Sequence, residues 1–484
     1  MIQATNELVL GIDLNPDYAQ VTYWHQSVRE PLTLTVQDNM QLPTGLRQDA
    51  NGIWSLWDGS PALDTEPRDV HRISCVYAKI ERQEKIKSND TIFAPEEILS
   101  IYLQQCISGL KLLTANTRLQ VMITVKELSE SLNRVIVGAL LALGVDRRQV
   151  YVQDYLSSFY YYTVNQKKEI WAQDVALLTV ERPQQNRSSS DGGRAGGKES
   201  PLLTQGTLPQ VYERTQQNRS SGDGVRAGGK ESPLHTQGTL PQVYEEAIVG
   251  YVMHIDRSTK PAIARVEMIA RQPMGEAVRA GRSEEDWKKE KDRLFFELLK
   301  KVFERRQVAV SYLMGDYFDK SWAVRSIQFL CTRRRAYQGL NLYSRGACYA
   351  ALERAGISAP REMIFGGNDM VERNIGMEMC IRGKENYYSL VNASVNWYEA
   401  HHVCEFIPRG EREIRVISRP MTPGEPTVHT MRLPGLPRRP DRATRLRMTV
   451  YFTSPVCCHI DVEDRGVGGR YKSSGLSWSR EISF

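Results

Sequence analysis

The stretch that most constrains this chain runs from Val308 to Leu352, and it opens with Val310-Ser-Tyr-Leu-Met-Gly-Asp316. Residues 309–313 are apolar and rich in β-formers, which predicts a short buried strand. Gly315 follows at once, where a strand can turn sharply or let a ligand approach its backbone. A helix is predicted from near Ser321, carrying Trp322, Ile327 and Leu330. Gln338-Gly-Leu-Asn-Leu-Tyr-Ser-Arg-Gly346 then leads into Ala347-Cys-Tyr-Ala-Ala-Leu352, a helix whose small residues let it lie close against a sheet.

Strand, glycine turn, helix and small-residue helix in this order resemble the adenosine segment of the actin-like ATPase superfamily, a fold shared by actin and the DnaK-type heat-shock chaperones. Residues 337–350 resemble more closely still a chaperone-like family of Gram-positive bacteria to which no activity is attached. The resemblance implies an α/β fold with two actin/DnaK-like, ribonuclease H-like lobes that bind nucleotide, followed by an all-β C-terminal domain. The expected boundaries are 1–165 for the first lobe, 166–357 for the second and 358–484 for the β domain.

The chain in order bears on that expectation. Glu7-Leu-Val-Leu-Gly-Ile-Asp13 reads as a strand, Leu14-Asn-Pro-Asp17 as a turn, and residues 19–24 as a returning strand. In the superfamily such a hairpin wraps phosphates with the N–H groups of its turn. The resemblance therefore implies that Gly11, Asp13, Leu14 and Asn15 border the phosphates and that Asp13 orders Mg²⁺ through water. Asn15-Pro16 departs from the family's pattern, and proline removes one donor from the cradle. An Asp-x-Asn-Pro-Asp turn also serves any hairpin. Pro95, Glu96 and Glu97 suit the start of a helix. Residues 119–125 form a strand before a helix capped by Ser129 and stopped at Gly144. Asp154 stands where the chaperones place an acid that orients the attacking water, and it equally suits a helix N-cap. It precedes an aromatic helix holding Phe159, Tyr160, Tyr161 and Tyr162. Lys79 reads as a surface lysine.

Residues 171–180 should open the second lobe. The chaperones follow this strand with an Asp-Leu-Gly-Gly-Gly-Thr loop, whereas this chain continues Leu177-Leu-Thr-Val-Glu-Arg-Pro183. Thr179 is the nearest candidate for that second phosphate contact. An insertion over 181–246 takes the place of the loop. Within it Gln184–Glu213 recurs as Gln216–Glu245, differing only at Ser190/Gly222, Gly193/Val225 and Leu203/His235. Gly, Ser, Gln and charged residues dominate each copy, a composition expected to stay disordered. A twice-displayed Leu-Pro-Gln-Val-Tyr docking motif (208–212 and 240–244) is the alternative. Beyond it, two apolar strands and an amphipathic helix over 284–305 return to residues 308–352, where Gly315 and Asp316 would border the adenosine.

From Ala359 onward short strands alternate with Pro and Gly turns, at 385–388, 395–399, 403–407, 413–418, 427–433, 446–452 and 458–462. His401, His402, Cys404, Cys457, Cys458 and His459 gather in two of these segments. Cys-x-x-Cys spacing is missing, so no zinc is expected. Most of the net charge of +6 sits in residues 401–484, whose arginines are interleaved with acids and prolines, which argues against a nucleic-acid stripe. No run of 18 apolar residues exists, so no membrane span is expected, and a cytoplasmic location is.

Two functional expectations stand side by side. One is a chaperone-like protein that binds ATP or ADP with Mg²⁺ between its lobes, with weak ATPase activity at most. The other is a degenerate, non-catalytic ATPase fold that acts as a scaffold for a protein or peptide partner met by the β domain.

Overall fold

The computed structural model describes residues 7–28, 30–60, 71–88, 91–110, 117–182, 246–275, 279–359, 363–408 and 412–484. The tandem repeat and both Leu-Pro-Gln-Val-Tyr motifs lie outside the described residues. The chain divides into two compact units. The first holds Met1–Glu127, Val135–His254 and Val266–Ile357; the second holds Leu128–Arg134, Ile255–Arg265 and Ser358–Phe484.

The first unit contains two sheets built on one plan. In the first, β1 (Glu7–Leu14) runs antiparallel to β2 (Ala19–His25), which pairs with β3 (Leu32–Thr33). On its other side β1 is parallel to β4 (Arg118–Val125), which is parallel to β5 (Val150–Asp154). The spatial order is therefore 3-2-1-4-5. The second sheet repeats that order over five of its six strands, β6 (Asp174–Glu181), β7 (Ala247–Asp256), β8 (Ala262–Pro273), β9 (Val308–Met314) and β10 (Arg335–Gly339). Both central strands are covered on their two faces, which is why β1 reads as a continuous apolar run with seven consecutive buried residues.

Helices cover these sheets. Helix α1 (Pro95–Ile107) starts with proline, and Glu97 Oε2 accepts from the Ala94 amide at 2.7 Å. Helix α2 (Glu130–Ala142) is capped by Ser129, whose Oγ accepts from the Leu132 amide at 3.2 Å. Helices α3 (Tyr155–Val164), α4 (Glu284–Phe303), α5 (Val324–Cys331) and α6 (Leu342–Arg354) complete the set. Helix α4 buries Trp287, Phe295, Leu298, Leu299 and Val302 and keeps its charges outside. Helix α5 begins later than expected. Asp319 Oδ1 accepts from the Ser321 amide, and Asp319 O receives the amides of Trp322 and Ala323, so a turn precedes the helix. No helix among the described residues is long and apolar enough to cross a membrane.

The second unit is all-β in its C-terminal part, as expected. Its strands are β11 (Met363–Gly366), β12 (Arg373–Ile381), β13 (Lys384–Val391), β14 (His401–Phe406), β15 (Glu413–Pro420), β16 (Thr427–Arg432), β17 (Leu446–Ser454), β18 (Cys457–Asp464) and β19 (Ser477–Ser483). One sheet has the order β13-β12-β15-β16 and the other β14-β17-β18-β19. Both contribute to one buried cluster that includes Ile375, Val416, Met448, Val450, Ile460 and Val462. Strands β17 and β18 alternate buried and outward residues along most of their length. Residues 395–399 form a turn rather than the expected strand, while β12 and β19 form strands that the pattern did not single out.

Candidate functional site

The candidate site lies at the C-terminal end of β1, within the first unit. Asp13 is only 1% exposed there. Its Oδ1 accepts from the Tyr155 hydroxyl at 2.6 Å and from Asn15 Nδ2 at 3.4 Å, while Oδ2 is buried without a hydrogen-bond donor. Burial pushes this carboxyl up to about 7, against the opposing pull of the bonds from Tyr155 and Asn15.

Asn15 closes the hairpin on itself. Its Oδ1 accepts from the amides of Asp17 and Tyr18, both at 3.0 Å. This is an Asx turn, in which a side chain takes the donors that a phosphate cradle would have to offer. Leu14, the last residue of β1, is fully buried. Burial and the nearby Asp13 carboxylate push the Tyr18 phenol far up, and Asp316 contributes to the same effect.

Tyr155 is the first residue of α3 and Tyr343 the second of α6. Their rings stack with centroids 3.8 Å apart and planes 11° from parallel. Thr179, on β6, lies close to the Tyr343 side chain. A chain of contacts thus links the two sheets of the unit: Thr179 to Tyr343, Tyr343 to Tyr155, Tyr155 to Asp13. The aromatic face of α3 extends the seam, because Phe159 and Tyr162 meet Tyr312 edge-on and Tyr312 stacks on Tyr337.

Helix α6 holds Tyr343 in place. Although it follows the second sheet in the chain, it packs on the first. A Cβ on Gly11 would fall inside the backbone of Ser344 and Cys348, and one on Gly346 would fall inside the Ser158 carbonyl. Only glycine permits such approach at both points. Thr22 Oγ1 donates to Ser344 Oγ at 2.8 Å, and Gln20 Nε2 to Leu340 O at 2.9 Å. The small residues of the sequence thus meet the first lobe's sheet.

The remaining candidates sit apart from this stack. Asp154 caps α3, accepting from the Ser157 amide at 2.7 Å; burial raises its carboxyl and that bond lowers it. Gly315 is left-handed (φ 76°), donates to Gly339 O at 2.9 Å and accepts from Gln338 Nε2 at 2.9 Å. Asp316 beside it is exposed. Sequence reasoning missed Tyr155 and Tyr343 as site residues. Each reads locally as an ordinary aromatic in the first turn of a helix.

The histidines and cysteines of the second unit do not form the single group their clustering suggested. His402 Nε2 meets the Tyr388 hydroxyl at 3.3 Å. Cys458 points into the core, where burial pushes its thiol up to about 12. Cys457 and His459 face outward, with Sγ and Nε2 3.7 Å apart.

Two families match the sequence. "Family of unknown function (DUF5716) C-terminal" covers residues 31–186 and 233–368, and "Domain of unknown function (DUF8552)" covers residues 370–484. No curated protein matches it. Among solved structures, MreB 5 of Spiroplasma citri bound to AMPPNP is 10% identical, with a TM-score of 0.24 over 37% of this chain and 46% of that one. A non-polymerising MamK mutant bound to AMPPNP is 11% identical, with a TM-score of 0.25 over 36% of this chain and 48% of that one. The chain thus spans less than half the length of either structure.

Proposed function

We propose that this chain, which belongs to the DUF5716 family, is a non-catalytic scaffold on an actin-like pair of lobes, its nucleotide seat filled by its own side chains. The observation that carries this reading is the Tyr155–Tyr343 stack, bonded to a buried Asp13 where the resemblance puts phosphate and Mg²⁺. A metal-ordering carboxylate must be ionised and open to water. This one is enclosed, and burial raises its carboxyl to about 7, so that it is ionised less readily than an open carboxylate. The turn amides that would hold a phosphate are bound by Asn15.

Magnitudes favour a closed seat. Unstacking the two rings costs about 0.5–1.5 kcal/mol beyond their buried area. Breaking the Tyr155–Asp13 hydrogen bond costs about 0.5–1.5 kcal/mol more. Together these lower the affinity of an entering nucleotide by roughly 5- to 150-fold. Binding of ATP or ADP with Mg²⁺ by a chaperone-like protein would require both tyrosines to leave. Protein or peptide partners would be met by the β domain, whose edge strands β14 and β16 expose Val403 and Val428.

A thermal melt of the full chain with and without Mg-ATP or Mg-ADP tests the reading. Ligand at about 100 times its dissociation constant adds roughly 2.7 kcal/mol to the folded state. For a unit of this size that would raise the midpoint by about 5–10 °C. We expect no shift with either nucleotide. A rise of that size would overturn the closed seat and restore nucleotide binding.

A further inference from the structure

We propose that Cys457, His459 and Glu481 form a surface site for a borderline-soft divalent transition metal, Zn²⁺ being the best match. The site belongs to the second unit and is independent of the tyrosine-filled seat. The ligand atoms of these three residues all lie within 4.8 Å of one another.

The sheet fixes the geometry. His459 on β18 lies directly opposite Glu481 on β19, so their side chains leave the same face. Cys457 is two residues before His459 and shares that face, while Cys458 and Ile460 between and beyond them point into the core. His459 Nε2 is 3.7 Å from Cys457 Sγ and 3.5 Å from Glu481 Oε2. Zinc bonded tetrahedrally at about 2.3 Å to sulfur and about 2.0–2.1 Å to nitrogen and oxygen needs ligand separations of roughly 3.3–3.6 Å. Both spacings from His459 therefore match edges of such a tetrahedron, and Cys457 and Glu481 lie within 4.8 Å of each other, close enough to supply the third. The Tyr451 ring stacks on His459 at 5.3 Å and 13°, which restrains the imidazole plane.

The donor set selects the metal. A thiolate beside an imidazole suits Zn²⁺, Co²⁺ or Ni²⁺ and disfavours Mg²⁺ and Ca²⁺, which want oxygen alone. Three protein ligands leave a fourth position for water or for a donor from a partner. Glu481 keeps 58% of its side chain exposed, so that position faces solvent. Sequence reasoning looked for Cys-x-x-Cys and missed this set, because Glu481 joins it only through strand register.

Titration of the full chain with Co²⁺ tests the site. We expect a thiolate-to-cobalt charge-transfer band that saturates at one equivalent and disappears when Zn²⁺ is added. Cys457→Ser should abolish the band. His459→Ala and Glu481→Gln should each weaken binding by at least the roughly 10–100-fold that even an outer-shell contact carries. Cys380→Ser, an exposed thiol on β12, should leave the titration unchanged. All four positions lie outside the core, and circular dichroism of each variant verifies its fold. No charge-transfer band from the folded chain, or a band that survives Cys457→Ser, would overturn the proposal.

Discussion

Two buried carboxylates, one in each unit, have opposite fates. Asp13 is 1% exposed and Asp464 2% exposed. Asp464 faces Arg439, whose two terminal nitrogens bind its two oxygens at 2.8 and 2.7 Å. It also accepts from the amides of Gly466 at 3.1 Å and Ser474 at 2.9 Å. That guanidinium and the Ser474 and Gly466 contacts hold its carboxyl well below the ordinary range despite burial. Asp13 has a phenol and a side-chain amide in place of a cation, and burial drives it upward. Burial alone therefore does not make a charged site. A carboxylate kept ionised needs a fixed cation or donors strong enough to outweigh burial, and at Asp13 burial prevails over its donors.

The largest effect should come from breaking the partnered member. Asp464→Ala leaves Arg439, whose side chain is 6% exposed, as a buried charge without its partner. Loss of one member of a buried pair costs about 3–5 kcal/mol. Denaturant unfolding of the full chain should show a loss of that size, concentrated in the transition of the second unit. A loss below about 1 kcal/mol would mean that water reaches Arg439 and that the contrast with Asp13 is one of exposure.

Asp13→Asn should act in the other direction and should depend on pH. The folded state holds the Asp13 proton up to about 7, whereas the unfolded chain releases it at about 3.9. Between these values the folded state carries the extra proton, so stability falls as pH rises through the window and is level above it. The displacement corresponds to at most about 4 kcal/mol at pH 8. The asparagine side chain never ionises, so the variant should gain on the wild type as pH rises from about 4 to about 7 and keep that gain above. Urea midpoints of both proteins across this range measure the difference, in which all other titrations cancel. A difference that does not change with pH would mean that Asp13 is ionised in the folded protein, as a metal-ordering carboxylate would be.

How much of this was legible in the sequence differs along the chain. The strand at residues 308–314, the glycine after it and the small-residue helix α6 were readable, because each follows from local pattern. So were Asp13 at a strand end and the turn chemistry of Asn15. The tyrosine pair was not. Tyr155 and Tyr343 belong to different helices, and only the close seat of α6 on β1, permitted by Gly11 and Gly346, brings their rings together. Glu481 was hidden for a similar reason, since its partner His459 is set by register between strands. Local pattern specifies elements. Sites made by pairing across elements need the fold first.

The smallest change, Tyr155→Phe, asks how the unpartnered carboxylate is held. It removes the hydroxyl that Asp13 Oδ1 accepts from at 2.6 Å and leaves a ring that can still stack on Tyr343. A hydrogen bond of this kind contributes about 0.5–1.5 kcal/mol net. The phenol lowers the Asp13 carboxyl, so its loss moves that group further up and widens the window over which stability falls with pH. The variant should therefore be close to wild type near pH 5, where Asp13 is protonated in both, and weaker by about 0.5–1.5 kcal/mol near pH 8, where the wild-type carboxylate is mostly ionised and uses the bond. Unfolding at those two values separates the terms. An equal loss at both would mean that the hydroxyl serves the neutral acid as much as the anion, so that the seat is held by ring packing and the hydrogen bond only orients it.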